Sequence, residues 1–186
     1  MAMFDPNLTV TQNGQYSANE LHDAICLWLY KEFESGDGLN LTKNMVTDEN
    51  FYGGDESYRE VDRVFIELPL YYQRNGKPSG FVDVAVRINF RLVREGTPKH
   101  ITITKMIFFE VKSYVKSVGE VLRQVKSYKS MLPEDQMSPD SICVVFPKGQ
   151  HSKILTTEQI SKSLGNEGIH TLLLGDEDMK ELKGEK

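Results

Sequence analysis

Residues 82 to 112, VDVAVRINFRLVREGTPKHITITKMIFFEVK, decide how the chain folds. Val82, Val84, Val86, Ile88, Phe90 and Leu92 recur at every second position, with Asp83, Arg87, Asn89 and Arg91 between them. That period predicts a strand with one buried face. The segment REGTPK, 94–99, predicts a reversal, and a second strand then starts at His100 or Ile101 and runs to Lys112. Pairing Arg94 with Lys99 carries Asp83 to a position opposite Glu110. The spacing of two puts Glu110 and Lys112 on one side of their strand. Opposed residues on one face of a hairpin have Cβ atoms about 4.5–5.5 Å apart, and like charges there repel. A cation between the two carboxylates would remove that penalty.

Outward from the hairpin the period changes twice. Before it, RVFIELPLYYQ reads as a strand, and RNGKPSG as the turn into Val82. Earlier still, Leu21, Ile25, Trp28 and Leu29 form the apolar face of a helix over 17–34 that ESGDG ends. The polar stretch 35–62, with YGGDES, has no clear period and is expected to be a long loop. After Lys112, a helix over about 118–132 turns Val118, Val121, Leu122 and Val125 inward; SICVVF is a strand, TTEQISKSL a helix and IHTLLL a last strand. The expected order is αβββαβαβ. A flexible arm (1–16), one domain (17–175) and a charged tail (176–186) complete the division.

At 186 residues the chain is long enough to bury one core without staples. Its two cysteines, Cys26 and Cys143, each sit in an apolar stretch, which predicts buried thiols in a reducing, cytoplasmic setting. No apolar run approaches a membrane span, and MAMFDPNLTVTQNGQ lacks the regions of a signal peptide.

The net charge of −5 argues against a protein that coats nucleic acid, yet the charge is uneven. Residues 1–62 are acidic, whereas Lys99, Lys105, Lys112, Lys116, Arg123, Lys126 and Lys129 face only Glu110 and Glu120. A local field of that sign suits phosphates, although an ordinary charged surface has the same composition. Two carboxylates and a lysine on one hairpin suit Mg²⁺ or Mn²⁺, which take few protein ligands and fill the remainder with water and phosphate oxygens. Lys112 would orient or help deprotonate water beside the metal; alternatively it is a simple ion pair with Glu110. The pairs Asp178 with Lys180 and Glu181 with Lys183 share the spacing but lie in the polar tail, with no apolar run before them. The four histidines show no zinc spacing, and GQHSK is no phosphate loop.

An acid-bearing helix, a strand with Asp83, a strand ending EVK and a following helix together resemble the PD-(D/E)XK nuclease superfamily. GFVD, residues 80–83, is similar to the G-x-x-D element of its RecB-type members, and Gln124 with Tyr128, in RQVKSY, is similar to their Q-x-x-x-Y element. ELHDAI resembles the first helix of XisH-type proteins. The resemblance covers roughly 17–146. It implies a three-layer α/β/α domain around a mixed sheet, restriction-endonuclease-like, and a metal-dependent deoxyribonuclease. It further implies Asp83 and Glu110 as metal ligands, Lys112 as the catalytic lysine and Gln124 as a positioning residue. Glu20 is the family-like helix acid, but SANE is also a capping box that would turn Glu20 back on Ser17. His22 is a ligand in the same scheme or a structural residue. Lys116, Arg123, Lys126 and Tyr128 are the expected DNA contacts, and a cutter of duplex would act as a homodimer. Gln124 and Tyr128, one turn apart, also fit a polar flank and a core aromatic. Val82 stands where the family has proline. The rival function is a non-catalytic protein of this fold that binds DNA or a nuclease partner.

Overall fold

The computed structural model describes residues 18–45, 56–72, 76–93, 100–133, 137–149, 151 and 155–182. The arm 1–16, Ser17, the turn 94–99 and residues 183–186 lie outside them. Helix α1 (Ala18–Ser35) precedes three long antiparallel strands, β1 (Glu56–Tyr71), β2 (Gly80–Val93) and β3 (His100–Val111). Helix α2 (Val118–Tyr128) leads to β4 (Leu132–Pro133) and β5 (Ser141–Pro147); α3 (Thr157–Gly165), β6 (His170–Leu174) and α4 (Asp176–Leu182) follow. The mixed sheet has six strands in the order β4-β1-β2-β3-β5-β6, with β3, β5 and β6 parallel.

Alternation along the strands builds one core on each face. Phe108, Val144, Phe146 and Ala85 meet Val121 and Val125 of α2 and Ile160 and Leu164 of α3. On the other face Ile107, Phe109, Cys143 and Val145 meet Ile25, Cys26, Leu29 and Phe33 of α1. The result is an α/β fold with helices on both faces of the sheet. Both cysteines are buried free thiols, as their apolar contexts predict. No helix among the described residues is long and apolar enough to cross a membrane.

The helices start where side chains satisfy their first N–H groups. Ser117 accepts from the Glu120 N–H, and Thr156 and Gln159 form a reciprocal capping box on α3. Helix α1 stops at Gly36, whose φ of 90° is open to glycine. A 3-10 turn, Asp37–Thr42, follows, and Gly38 lies so close to Phe33 that a Cβ would sit 2.7 Å from the ring.

Three elements differ from the sequence expectation. The stretch 35–62 is not all loop, because Leu39 and Leu41 of the 3-10 turn pack on the α1-side core and β1 already begins at Glu56. Helix α2 ends at Tyr128 rather than near 132, since Leu132 and Pro133 pair with Tyr71 and Leu70. Proline could not continue the helix. The charged tail opens as α4, where Asp178 accepts the Gly175 N–H at 2.6 Å and Met179 and Leu182 pack on the α1-side core.

The hairpin register is the one read from the sequence: Val93 pairs with His100 and Val84 with Phe109, which brings Asp83 and Glu110 next in line. The face assignment fails at one point. Val82 belongs to the α2-side core and Val84 to the α1-side core, although they are two apart. The phase also slips in β1, where Val64 lies in the α1-side core and Phe65, Leu68 and Leu70 pack with the α2 side. Ile66 pairs with Val84 and Leu68 with Val82, while Glu67, between them, has φ 50°. Both strands therefore kink at the Glu67 and Asp83 positions, and this kink re-aims Asp83. An L-residue in that region costs roughly 1–2 kcal/mol. Glu67→Gly is thus expected to melt at or above wild type, and Glu67→Val to lose about 1–2 kcal/mol of stability in urea unfolding. A destabilised glycine variant would show that the Glu67 side chain itself holds the kink.

Candidate active site

The end of β3 places an acid in the interior and a base at its margin. Glu110 is fully buried, facing the α2 side of the sheet beside Phe108. One carboxylate oxygen accepts from the Lys112 ammonium, whose side chain is 25% exposed; the other accepts from the Tyr128 hydroxyl. The Lys112 backbone N–H bonds to Val145 O at 2.8 Å, so the β3–β5 pairing fixes the lysine one residue past the strand end.

Asp83 comes from the kink in β2. Its Oδ2 accepts the Val111 N–H at 2.7 Å, which ties it to the same end of β3. Its Oδ1 lies 3.4 Å from Nε2 of His22 on α1. The helix contact to Asp83 thus comes from His22. Glu20 stands two residues earlier on α1, about 200° round the helix axis. The sequence leaves Glu20 and His22 both open, and the inward position of His22, three residues before Ile25, is the signal that agrees with its contact to Asp83.

Helix α2 closes the site from above the sheet. Tyr128 is buried, and Gln124 Nε2 donates to its hydroxyl oxygen at 3.0 Å, one turn away. The Q-x-x-x-Y spacing therefore forms one connected chain, Gln124 to Tyr128 to Glu110. Phe81 O lies 3.4 Å from the same hydroxyl. Lys116 and Arg123 are exposed, whereas Lys126 pairs with Glu167 at 2.6 Å on the α2 and α3 surface.

The charges are strongly coupled. Burial first, and then the Asp83 charge, push the Glu110 carboxyl up from its ordinary 4.5 to about 7, against the pull of Lys112 and Tyr128. Burial and the adjacent Glu110 hold the Tyr128 hydroxyl well above its usual range, so it stays a donor. The hydrogen bond to Asp83, helped by Cys26 and opposed by burial, lifts His22 to about 11. At neutral pH His22 is an imidazolium, and an imidazolium has no lone pair for a metal. In this state it is a counter-ion to Asp83.

The donor set fits a hard divalent cation with few protein ligands. Each carboxylate oxygen here has one protein partner and keeps further acceptor capacity. The mutual repulsion of Asp83 and Glu110, visible in the raised Glu110 carboxyl, is what a cation would relieve. Among the described residues no three or more His, Cys, Asp or Glu side chains converge as a ready ligand group, so water would fill the remaining positions. The chain matches no protein-family profile, no curated protein sequence and no solved structure.

Proposed function

We propose that the protein is a Mg²⁺-dependent deoxyribonuclease of PD-(D/E)XK type that hydrolyses phosphodiester bonds. The supporting observation is the meeting of Asp83, buried Glu110 and Lys112 where β2 begins and β3 ends, with Tyr128 holding Glu110 from the helix side. Asp83 and Glu110 would hold Mg²⁺ or Mn²⁺, which supplies Lewis-acid stabilisation of charge on the phosphate. Lys112, set at the margin of the site, orients the attacking water and offsets charge developing on the phosphorus oxygens. Gln124 and Tyr128 keep the Glu110 carboxylate in place. Exposed Lys116 and Arg123 take flanking phosphates. Lys126 joins them by exchanging Glu167, since an exposed ion pair is worth at most about 1 kcal/mol.

The rival is a non-catalytic protein of the same architecture that binds DNA or a nuclease partner. It draws on the two-carboxylate ligand set, which is small for a catalytic metal centre. Incubation with supercoiled, linear duplex and single-stranded DNA, with Mg²⁺, Mn²⁺ or EDTA, separates them. Cleavage that requires the metal and leaves 5′-phosphates is expected. An intact pool of every DNA form would leave only the binding role. Cutting both strands at one place would need a second copy of the chain.

The cations make a separate quantitative expectation. In the Lys116→Ala, Arg123→Ala double variant the slope of log affinity against log salt should shrink by roughly one unit per lost phosphate contact. An unchanged slope would return both residues to solvated surface.

A further inference from the structure

We propose that the rim of this site holds an unpaired DNA strand, with bases stacked on Phe81, Tyr114 and Tyr72 and phosphates taken by Lys112, Lys116 and Lys77. The nuclease reading states what happens to that strand; the binding itself stands apart from it.

Among the described residues three large apolar side chains are exposed: Tyr72 at 60%, Tyr114 at 44% and Phe81 at 37%. Single exposed rings need no explanation. These three share one end of the sheet. Tyr72 follows the last residue of β1, Phe81 is the second residue of β2 and lies two before Asp83, and Tyr114 lies two after Lys112. Gly80 pairs with Leu70 and Phe81 with Pro69, so the β1 and β2 rings lie at the same end of adjacent strands.

Two of the rings sit on anchored backbone. Phe81 is paired with Pro69 in the β1–β2 ladder, and its carbonyl lies 3.4 Å from the Tyr128 hydroxyl, whose one proton goes to Glu110. The Tyr114 ring rests 5.8 Å from the His151 ring, which is buried and stacks edge-on against Phe146 at 5.2 Å. His151 Nδ1 accepts the Val115 N–H at 3.2 Å, and Nε2 lies 2.9 Å from Pro147 O, so the assigned tautomer carries its proton on Nε2. A ring that is exposed yet held loses little freedom when a base stacks on it.

The company of the rings selects the ligand. A protein interface core is depleted of lysine, whereas rings interleaved with cations are the pattern of single-strand binding. Lys116 and Lys77 are exposed and Lys112 is partly so. A duplex keeps its bases stacked on one another and would leave the three rings unused.

Fluorescence anisotropy in EDTA, with labelled oligo(dT) and a blunt duplex of equal length, tests this. Wild type should bind oligo(dT) at least about tenfold more tightly than the duplex. Tyr72→Ala and Tyr114→Ala should each weaken oligo(dT) binding by roughly 5- to 100-fold and leave duplex binding and the salt slope unchanged. Tyr114→Trp should retain affinity, and Phe81→Leu, which keeps the apolar packing, should fall between. Equal affinity for the two DNA forms, binding of neither, or alanine variants that melt and bind oligo(dT) like wild type would overturn the proposal. Ring-dependent binding without cleavage in Mg²⁺ would instead sink the nuclease reading and keep the rim. Cleavage of duplex with no ring dependence would do the reverse.

Discussion

Lys112→Ala should remove metal-dependent cleavage, lowering kcat by at least about 10²–10³-fold, while the protein remains folded. The lysine is fixed by its backbone bond to Val145 O, so the substitution leaves the β3–β5 pairing in place. Its partner Glu110 keeps the Tyr128 hydroxyl and can take up a proton, because burial already raises its carboxyl. The melting temperature should therefore drop by no more than roughly 5 °C. Lys112→Arg keeps the charge but brings a wider, planar head into a site shaped for a point charge, and it should stay largely inactive. An active alanine variant would reduce Lys112 to a simple ion pair with Glu110.

Glu110→Gln should abolish activity and at the same time relieve the metal-free fold. Because the folded-state carboxyl is raised from 4.5 to about 7, its contribution to stability is full below pH 4.5 and is lost as pH rises through 7. Glutamine has no such titration. Its carbonyl still accepts from Tyr128, and Lys112, 25% exposed, finds water. In EDTA the variant should gain on wild type as pH rises from 4.5 to 7, by on the order of 1 kcal/mol at pH 8. Mg²⁺ should raise the melting temperature of wild type only. Parallel stability curves across pH, with equal responses to Mg²⁺, would place the carboxylate repulsion elsewhere. From sequence alone Asp83→Asn would serve the same purpose. The structure gives Asp83 a positive partner in His22, so that substitution removes a favourable contact together with the repulsion.

The hairpin was legible because three signals agreed: the clean alternation from Val82, the turn chemistry of 94–99 and the apolar run that ends at Glu110. The register follows from them. The kink was not legible, since a single residue at φ 50° in β1 leaves no trace in the pattern of β2, and Val82 was assigned to the wrong face for that reason. Helix α4 was hidden because only Met179 and Leu182 face the core, in a segment otherwise dominated by charge. Residue types named Asp83, Glu110, Lys112, Gln124 and Tyr128; the fold joins the last four in one hydrogen-bonded chain and ties Asp83 to the adjoining Val111 N–H. His22 was left open because its role depends on where α1 crosses the sheet, a tertiary fact that local periodicity does not carry. The Lys126 pair with Glu167 likewise joins residues far apart in sequence.

Anomalous scattering from a crystal soaked in Mn²⁺ tests the metal centre most directly. The expected result is a peak between the Asp83 and Glu110 carboxylates, with Lys112 no longer bonded to Glu110 and no such peak in Glu110→Gln. No peak at this position in wild type, with Glu110 still held by Lys112 and Tyr128 and Asp83 by His22 at saturating Mn²⁺, would contradict it.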